Sequence, residues 1–141
     1  MSNIQCPTAE VNDGTAKGSA METKRFTRVM KALSDPGRVA IIKLLARKEL
    51  CVCEITALLG LAQPTVSKHL RVLEESGLVA REKDGPWINF RLADGSDSPY
   101  AAALLGLLTT WLEEDQGLRE ILARLPLVDR QHLKACPPRQ R

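Results

Sequence analysis

Between Glu54 and Leu92 the apolar residues hold one spacing, break at a glycine, resume, break at a second glycine and then change period. Ile55, Leu58 and Leu59 fall on one side of a short helix that Gly60 ends. A second helix opens around Gln63 and Pro64, keeps Val66, Leu70 and Leu73 on its inner face, and closes at Gly77. Two short helices joined by a tight glycine-containing turn form a helix-turn-helix. Beyond Gly77 the period becomes two. Leu78, Ala80 and Glu82 alternate with Val79, Arg81 and Lys83, and Ile88, Phe90 and Leu92 alternate with Trp87, Asn89 and Arg91. Asp84-Gly85 between the two runs signals a hairpin, and a hairpin directly after a helix-turn-helix is a wing.

The flanks supply the core. Phe26, Val29, Met30 and Leu33 form a buried helix stripe, and "SDPGR" stops that helix and starts another, with Asp35 as cap and Pro36 in the first turn. Val39, Ile41, Ile42, Leu44 and Leu45 make the next helix apolar almost all round, which places it centrally. Residues 98 to about 124 return to helical spacing. There Leu104, Leu105, Leu107, Leu108, Trp111 and Leu112 exceed what one small domain buries, which predicts packing against a second subunit. The fold class expected is mainly α with a β-hairpin wing (α+β), a dimeric winged helix-turn-helix. A flexible tail is expected over residues 1–20, the domain over 21–125, and a second tail over 126–141.

A chain of 141 residues suits one domain. It has no apolar run of the roughly 20 residues that span a bilayer, and residues 1–20 lack the pattern of a secretory signal, so a cytoplasmic protein with no membrane partner is expected. In that reducing setting the four cysteines read as thiols rather than a disulfide framework. Charge is uneven: from Met21 to Lys48 eight basic residues face only Glu22 and Asp35, which permits an anionic partner.

Gln63, Thr65, Ser67, Lys68 and Arg71 point outward from the second helix of the unit, and the hairpin adds Arg81, Lys83 and Arg91. These side chains can meet base edges and phosphates, so double-stranded DNA is the expected partner. Catalysis finds no support. The chain has two histidines, no glycine-rich phosphate loop and no recognisable nucleophile with its base.

"ALSDPGR" at 32–38, "ELCVCE" at 49–54, "QPTVSKHL" with the following "LxxxGLV" at 63–79, and "DGPWINFRL" at 84–92 together resemble the ArsR/SmtB family of metal-responsive winged helix-turn-helix repressors. The "ELCVCE" box is similar to that of the arsenic- and antimony-sensing branch. The resemblance implies a homodimer that holds a two-fold operator and releases it when Cys51 and Cys53 bind As(III) or Sb(III). No cofactor is required. Cd(II), Pb(II) or oxidation of the same thiols are the alternative signals.

Thiolates suit such soft ions, and a cysteine at a helix N-terminus is expected to have a lowered pKa because the helix dipole favours the anion. Residues two apart on a regular helix diverge, so one ion can hold both sulfurs only if that helix start is distorted. Thr56 stands where the arsenic branch often has a third cysteine. The third donor is then expected from Cys6, next from Cys136, and last from a small thiol or water. Zinc sensors of the family carry histidines on the last long helix, whereas residues 98–124 contain none.

Overall fold

The computed structural model describes residues 14–133, except for the side chains of residues 14–20 and of His132. Within them, α1 runs Gly14–Ala32, α2 Pro36–Leu45, β1 Leu50–Cys51, α3 Val52–Leu59, α4 Gln63–Glu75, β2 Val79–Asp84, β3 Trp87–Leu92, α5 Pro99–Leu108 and α6 Gln116–Ala123. Two 3-10 turns follow at Leu125–Leu127 and Arg130–His132.

Helix α2 forms because Asp35 caps it and Pro36 starts it. The Asp35 carboxylate accepts from the backbone N–H of Gly37 at 2.7 Å and of Arg38 at 3.3 Å. From Ala40 to Leu45 every residue is buried, so α2 is the centre on which the other helices pack. Ile41, Ile42, Leu44, Leu50, Ile55, Leu58, Leu70, Leu73 and Leu78 are among the fully buried side chains. Each stabilises the fold by about 1.5–3 kcal/mol relative to an exposed position. Lys43 lies in this core at 4% exposure. Its ammonium donates to the carbonyls of Leu108 at 2.8 Å and Trp111 at 2.7 Å and to the Glu113 carboxylate, so it satisfies the end of α5.

Helices α3 and α4 form the helix-turn-helix, separated by Gly60 in the left-handed region at φ 69°, a conformation without penalty for glycine. The sheet order is β1-β3-β2, antiparallel throughout. Leu50 pairs with Phe90 and Cys51 with Asn89, so the wing is fastened to the residue before α3. In the hairpin Asp84 pairs with Trp87, which makes Gly85-Pro86 the loop, one residue later than expected. Gly85 at φ 63° followed by Pro86, whose ring fixes φ negative, gives a II′-type turn.

Three boundaries differ from expectation. Helix α1 begins at Gly14, inside the segment expected to be a tail. The single helix expected over 98–124 is two, α5 and α6, split by a turn in which Leu112 takes φ 66°. Residues 126–133 are packed rather than tail-like, because Arg130 donates to Asn89 Oδ1 and Asp84 Oδ2, each at 2.8 Å, and lies over the Trp87 ring at 4.9 Å. Among the described residues no helix is long and apolar enough to cross a membrane.

Candidate functional site

Two surfaces converge on the helix-turn-helix. On α4, Val66, Leu70 and Leu73 are buried, while Gln63, Thr65, Ser67, Lys68 and Arg71 are exposed, as the spacing predicts. The N-cap of α4 is Ala62, which offers no side-chain cap, and Pro64 lacks an N–H. The first turn therefore presents uncapped dipole to the outside, an arrangement suited to an anion. Lys83 is exposed on the wing. Arg81 is exposed as well; it grips Glu74 of α4 with Nε and Nη2, both at 2.8 Å, and lies 5.3 Å from the Phe90 ring centre. Its main role within the chain is to lock the wing to α4. Arg91 likewise pairs with Glu82 at 3.2 Å.

His69, given no special role from sequence, ties α4 to the corner between α1 and α2. Its Nδ1 lies 3.3 Å from Arg38 Nη1, and its Nε2 lies 3.7 Å from Asp35. Arg38 also donates to the carbonyls of Ala32 at 2.6 Å and Lys31 at 3.2 Å. No sequence periodicity announces this cluster. The histidine sits on the boundary of the helix's inner face, which is the only hint.

The second surface is the head of α3. Cys51 is the N-cap residue, extended at φ −91° and ψ 171°, and buried; Cys53 lies two residues into the helix and is half-buried. Glu54, 5% exposed, accepts from the Cys51 N–H at 2.9 Å, and its own N–H faces the Cys51 sulfur in a capping box. The expected lowering of the Cys51 thiol pKa is reversed. Burial pushes it above its ordinary value, the Glu54 carboxylate adds to that, and the N–H groups of Glu54 and Cys53 only partly offset them. Arg130 is close enough to feel the charges of Cys51 and Glu54.

The expectation that all the cysteines are thiols fails at Cys53, which is disulfide-bonded, whereas Cys51 keeps its thiol. Cys6 and Cys136, the expected sources of a third donor, lie outside the described residues. Among the described residues no group of three His, Cys, Asp or Glu is placed to hold an ion. Thr56 is a neighbour of Cys53 at i, i+3 on α3, and its hydroxyl is buried without a hydrogen-bond partner. This orphaned oxygen, one turn along from Cys53, marks the one polar vacancy in this helix.

The order helix, glycine turn, helix and hairpin, with β1 closing the sheet, defines a winged helix-turn-helix protein. The model of the family described as bacterial regulatory protein, arsR family, matches residues 35–81. The arsenical resistance operon repressor of Escherichia coli is 42% identical over 101 residues, covering 70% of this chain and 82% of that one. An arsenic resistance transcriptional regulator of Pseudomonas putida is 38% identical over 91 residues, covering 62% and 71%. The solution structure of a homodimeric winged helix-turn-helix DNA-binding domain from Mycobacterium bovis superposes with a TM-score of 0.60 at 29% identity, covering 73% and 92%. The chain belongs to the ArsR family of bacterial regulatory proteins.

Proposed function

We propose that this chain is the repressor of a metalloid-resistance operon, a homodimer that holds its operator through α4 and the wing and lets go when As(III) or Sb(III) is bound by Cys51 and Cys53. The observation that carries this reading is the place of the cysteines. They occupy the junction where the wing's sheet ends and the helix-turn-helix begins. To become ligands, Cys53 must first be released from its disulfide by a reducing thiol, which is itself oxidised, and Cys51 must lose its proton and turn its sulfur from the core, opening the Glu54 capping box as it does so.

A soft ion bound there supplies strong thiolate bonds, with Cd(II) and Pb(II) as alternatives. Thr56 leaves an oxygen without a partner one turn from Cys53, and once the Cys53 disulfide is reduced Cys6 or Cys136 are the further donors to try. A hundredfold loss of operator affinity requires about 2.7 kcal/mol of preference for the released form. Self-association is supported by the exposed Leu107, Trp111 and Leu112 at the end of α5 and by the homodimeric Mycobacterium bovis relative. In such a dimer the two α4 helices stand about 34 Å apart.

The disulfide at Cys53 favours a second reading, release by thiol oxidation. One experiment separates the two. Operator binding is followed by fluorescence anisotropy while arsenite, antimonite, Cd(II), Pb(II) or peroxide is added to wild type, Cys51→Ser and Cys53→Ser. Metalloid sensing gives release of wild type by arsenite and about a hundredfold weaker response in both variants, with operator affinity unchanged before addition. Variants that respond like wild type place the sensor elsewhere. Release by peroxide but not by arsenite selects oxidation.

A further inference from the structure

Helix α1 has two unlike sides. One is fastened to the start of α5: Arg25 pairs with Glu22 at 3.1 Å and donates to the Asp97 carbonyl at 2.6 Å, the Tyr100 hydroxyl donates to Glu22 at 2.6 Å, and Phe26 meets Tyr100 edge-on at 5.5 Å. The other side carries Lys24, Arg28 and Lys31, spaced to share a face, all exposed and none in an ion pair with a described residue. These three line a groove of about 330 Å³ whose opposite wall is Val72 and Glu75 of α4 and whose floor includes Arg38. Four cations there face one carboxylate. The Arg38 guanidinium is held by the Lys31 and Ala32 carbonyls and His69, so it lends charge while Lys24, Arg28 and Lys31 keep their donors available.

The groove continues the DNA-reading surface. Val72 and Glu75 follow Lys68 at i+4 and i+7 on α4, so the groove opens one turn below a residue of the recognition face. A helix with its side chains nearly fills the major groove, and the elements on its two flanks meet the two phosphate walls. The wing, locked to α4 by Arg81 and Glu74, takes one flank. Helix α1 takes the other, and its cationic strip from Lys24 to Lys31 is about 10 Å long, the rise of about three base pairs.

We propose that the groove between α1 and α4 is a phosphate-binding site for the operator backbone outside the bases read by α4, so that Lys24, Arg28 and Lys31 lengthen the footprint beyond the half-site. This rests on the DNA-binding reading above. The source is duplex phosphodiester rather than a free anion, since the strip is open along its length and continuous with the recognition helix.

The test uses the full chain and the duplex it enriches from a random pool, in two lengths: a core of the two half-sites alone, and that core extended by about one helical turn on each side. On the long duplex, Lys24→Ala/Arg28→Ala/Lys31→Ala is expected to bind at least tenfold more weakly. Its slope of log affinity against log salt should be shallower by about 0.9 for each phosphate given up, so by about two for one phosphate per subunit. On the core duplex it should match wild type. Glu75→Gln, which removes the groove's carboxylate, should tighten binding to the long duplex, a gain that misfolding cannot produce. Equal affinity of the triple variant and wild type on the long duplex overturns the proposal, as does an equal loss on both lengths. Inorganic phosphate that erases the long-duplex advantage at millimolar concentration, against chloride of equal ionic strength, also overturns it by assigning the groove to a free anion. A wild type that shows no preferred duplex at all refutes the DNA-binding reading instead.

Discussion

Helices α3 and α4 are neighbours of similar geometry, and each begins after an extended residue, yet their heads are built in opposite ways. At α3 the cap is a buried cysteine whose N–H is taken by a buried glutamate, with the wing's ladder attached to the same residue. At α4 the cap is an alanine, the next position but one is proline, and the polar side chains of the first turns extend into solvent. Anything that binds the head of α4 displaces water and finds an unneutralised dipole. Anything that binds the head of α3 first has to break an internal bond. The first is how a surface recognises a partner without rearranging itself; the second is how a site makes binding and an intact structure compete.

This contrast can be broken at either end. The largest effect is expected at α3, where Glu54→Ala leaves the buried Cys51 N–H without its acceptor. The loss should be about 2 kcal/mol, read as a lower urea midpoint at constant m value, and Glu54→Gln should recover much of it. If Glu54→Ala unfolds like wild type, the head of α3 is not closed in the sense argued.

A smaller and two-signed effect is expected at α4. Ala62→Asp supplies the missing cap and should raise stability by about 1 kcal/mol. It also places a like charge about 10 Å from the operator phosphates, at a cost on the order of 1.5 kcal/mol, so anisotropy should show roughly tenfold weaker DNA binding. Should the variant gain stability and keep its affinity, the open head is not a contact.

The smallest effect lies away from both heads and calibrates them. Lys43 holds the Glu113 carboxyl below its usual range, by hydrogen bond and by charge. The carboxylate's contribution is therefore complete above the ordinary glutamate value and disappears as pH falls through the lowered one. Acid titration of thermal unfolding should show Glu113→Gln slightly less stable than wild type near neutral pH and converging with it as pH falls, hence a shallower decline.

Much of this architecture was legible in the residues. Val66, Leu70 and Leu73 announce which side of α4 faces in, Asp35 and Pro36 announce the start of α2, and the shift to alternation after Gly77 announces the wing. What was not legible is tertiary. The leucine-rich run after Ser98 contains no proline that would break it at its middle, and its break comes from a leucine in the left-handed region, which local propensity disfavours. The pairing of Arg81 with Glu74 is not announced by the alternation of the wing, and Arg38 and His69 meet only because α1, α2 and α4 share a corner. The thiol of Cys51 was expected to be acidic from the dipole alone. Burial acts more strongly there, and burial is a property of the whole fold.

The strand that joins the cysteine to the wing is two residues long, Leu50 and Cys51. Such a clasp contains a handful of backbone bonds, each with a net worth of about 1 kcal/mol, against a core many times stronger. Undoing it is therefore a local event. The domain can loosen its grip on one edge and keep its interior intact, so that refastening requires no refolding and the same molecule can be used again.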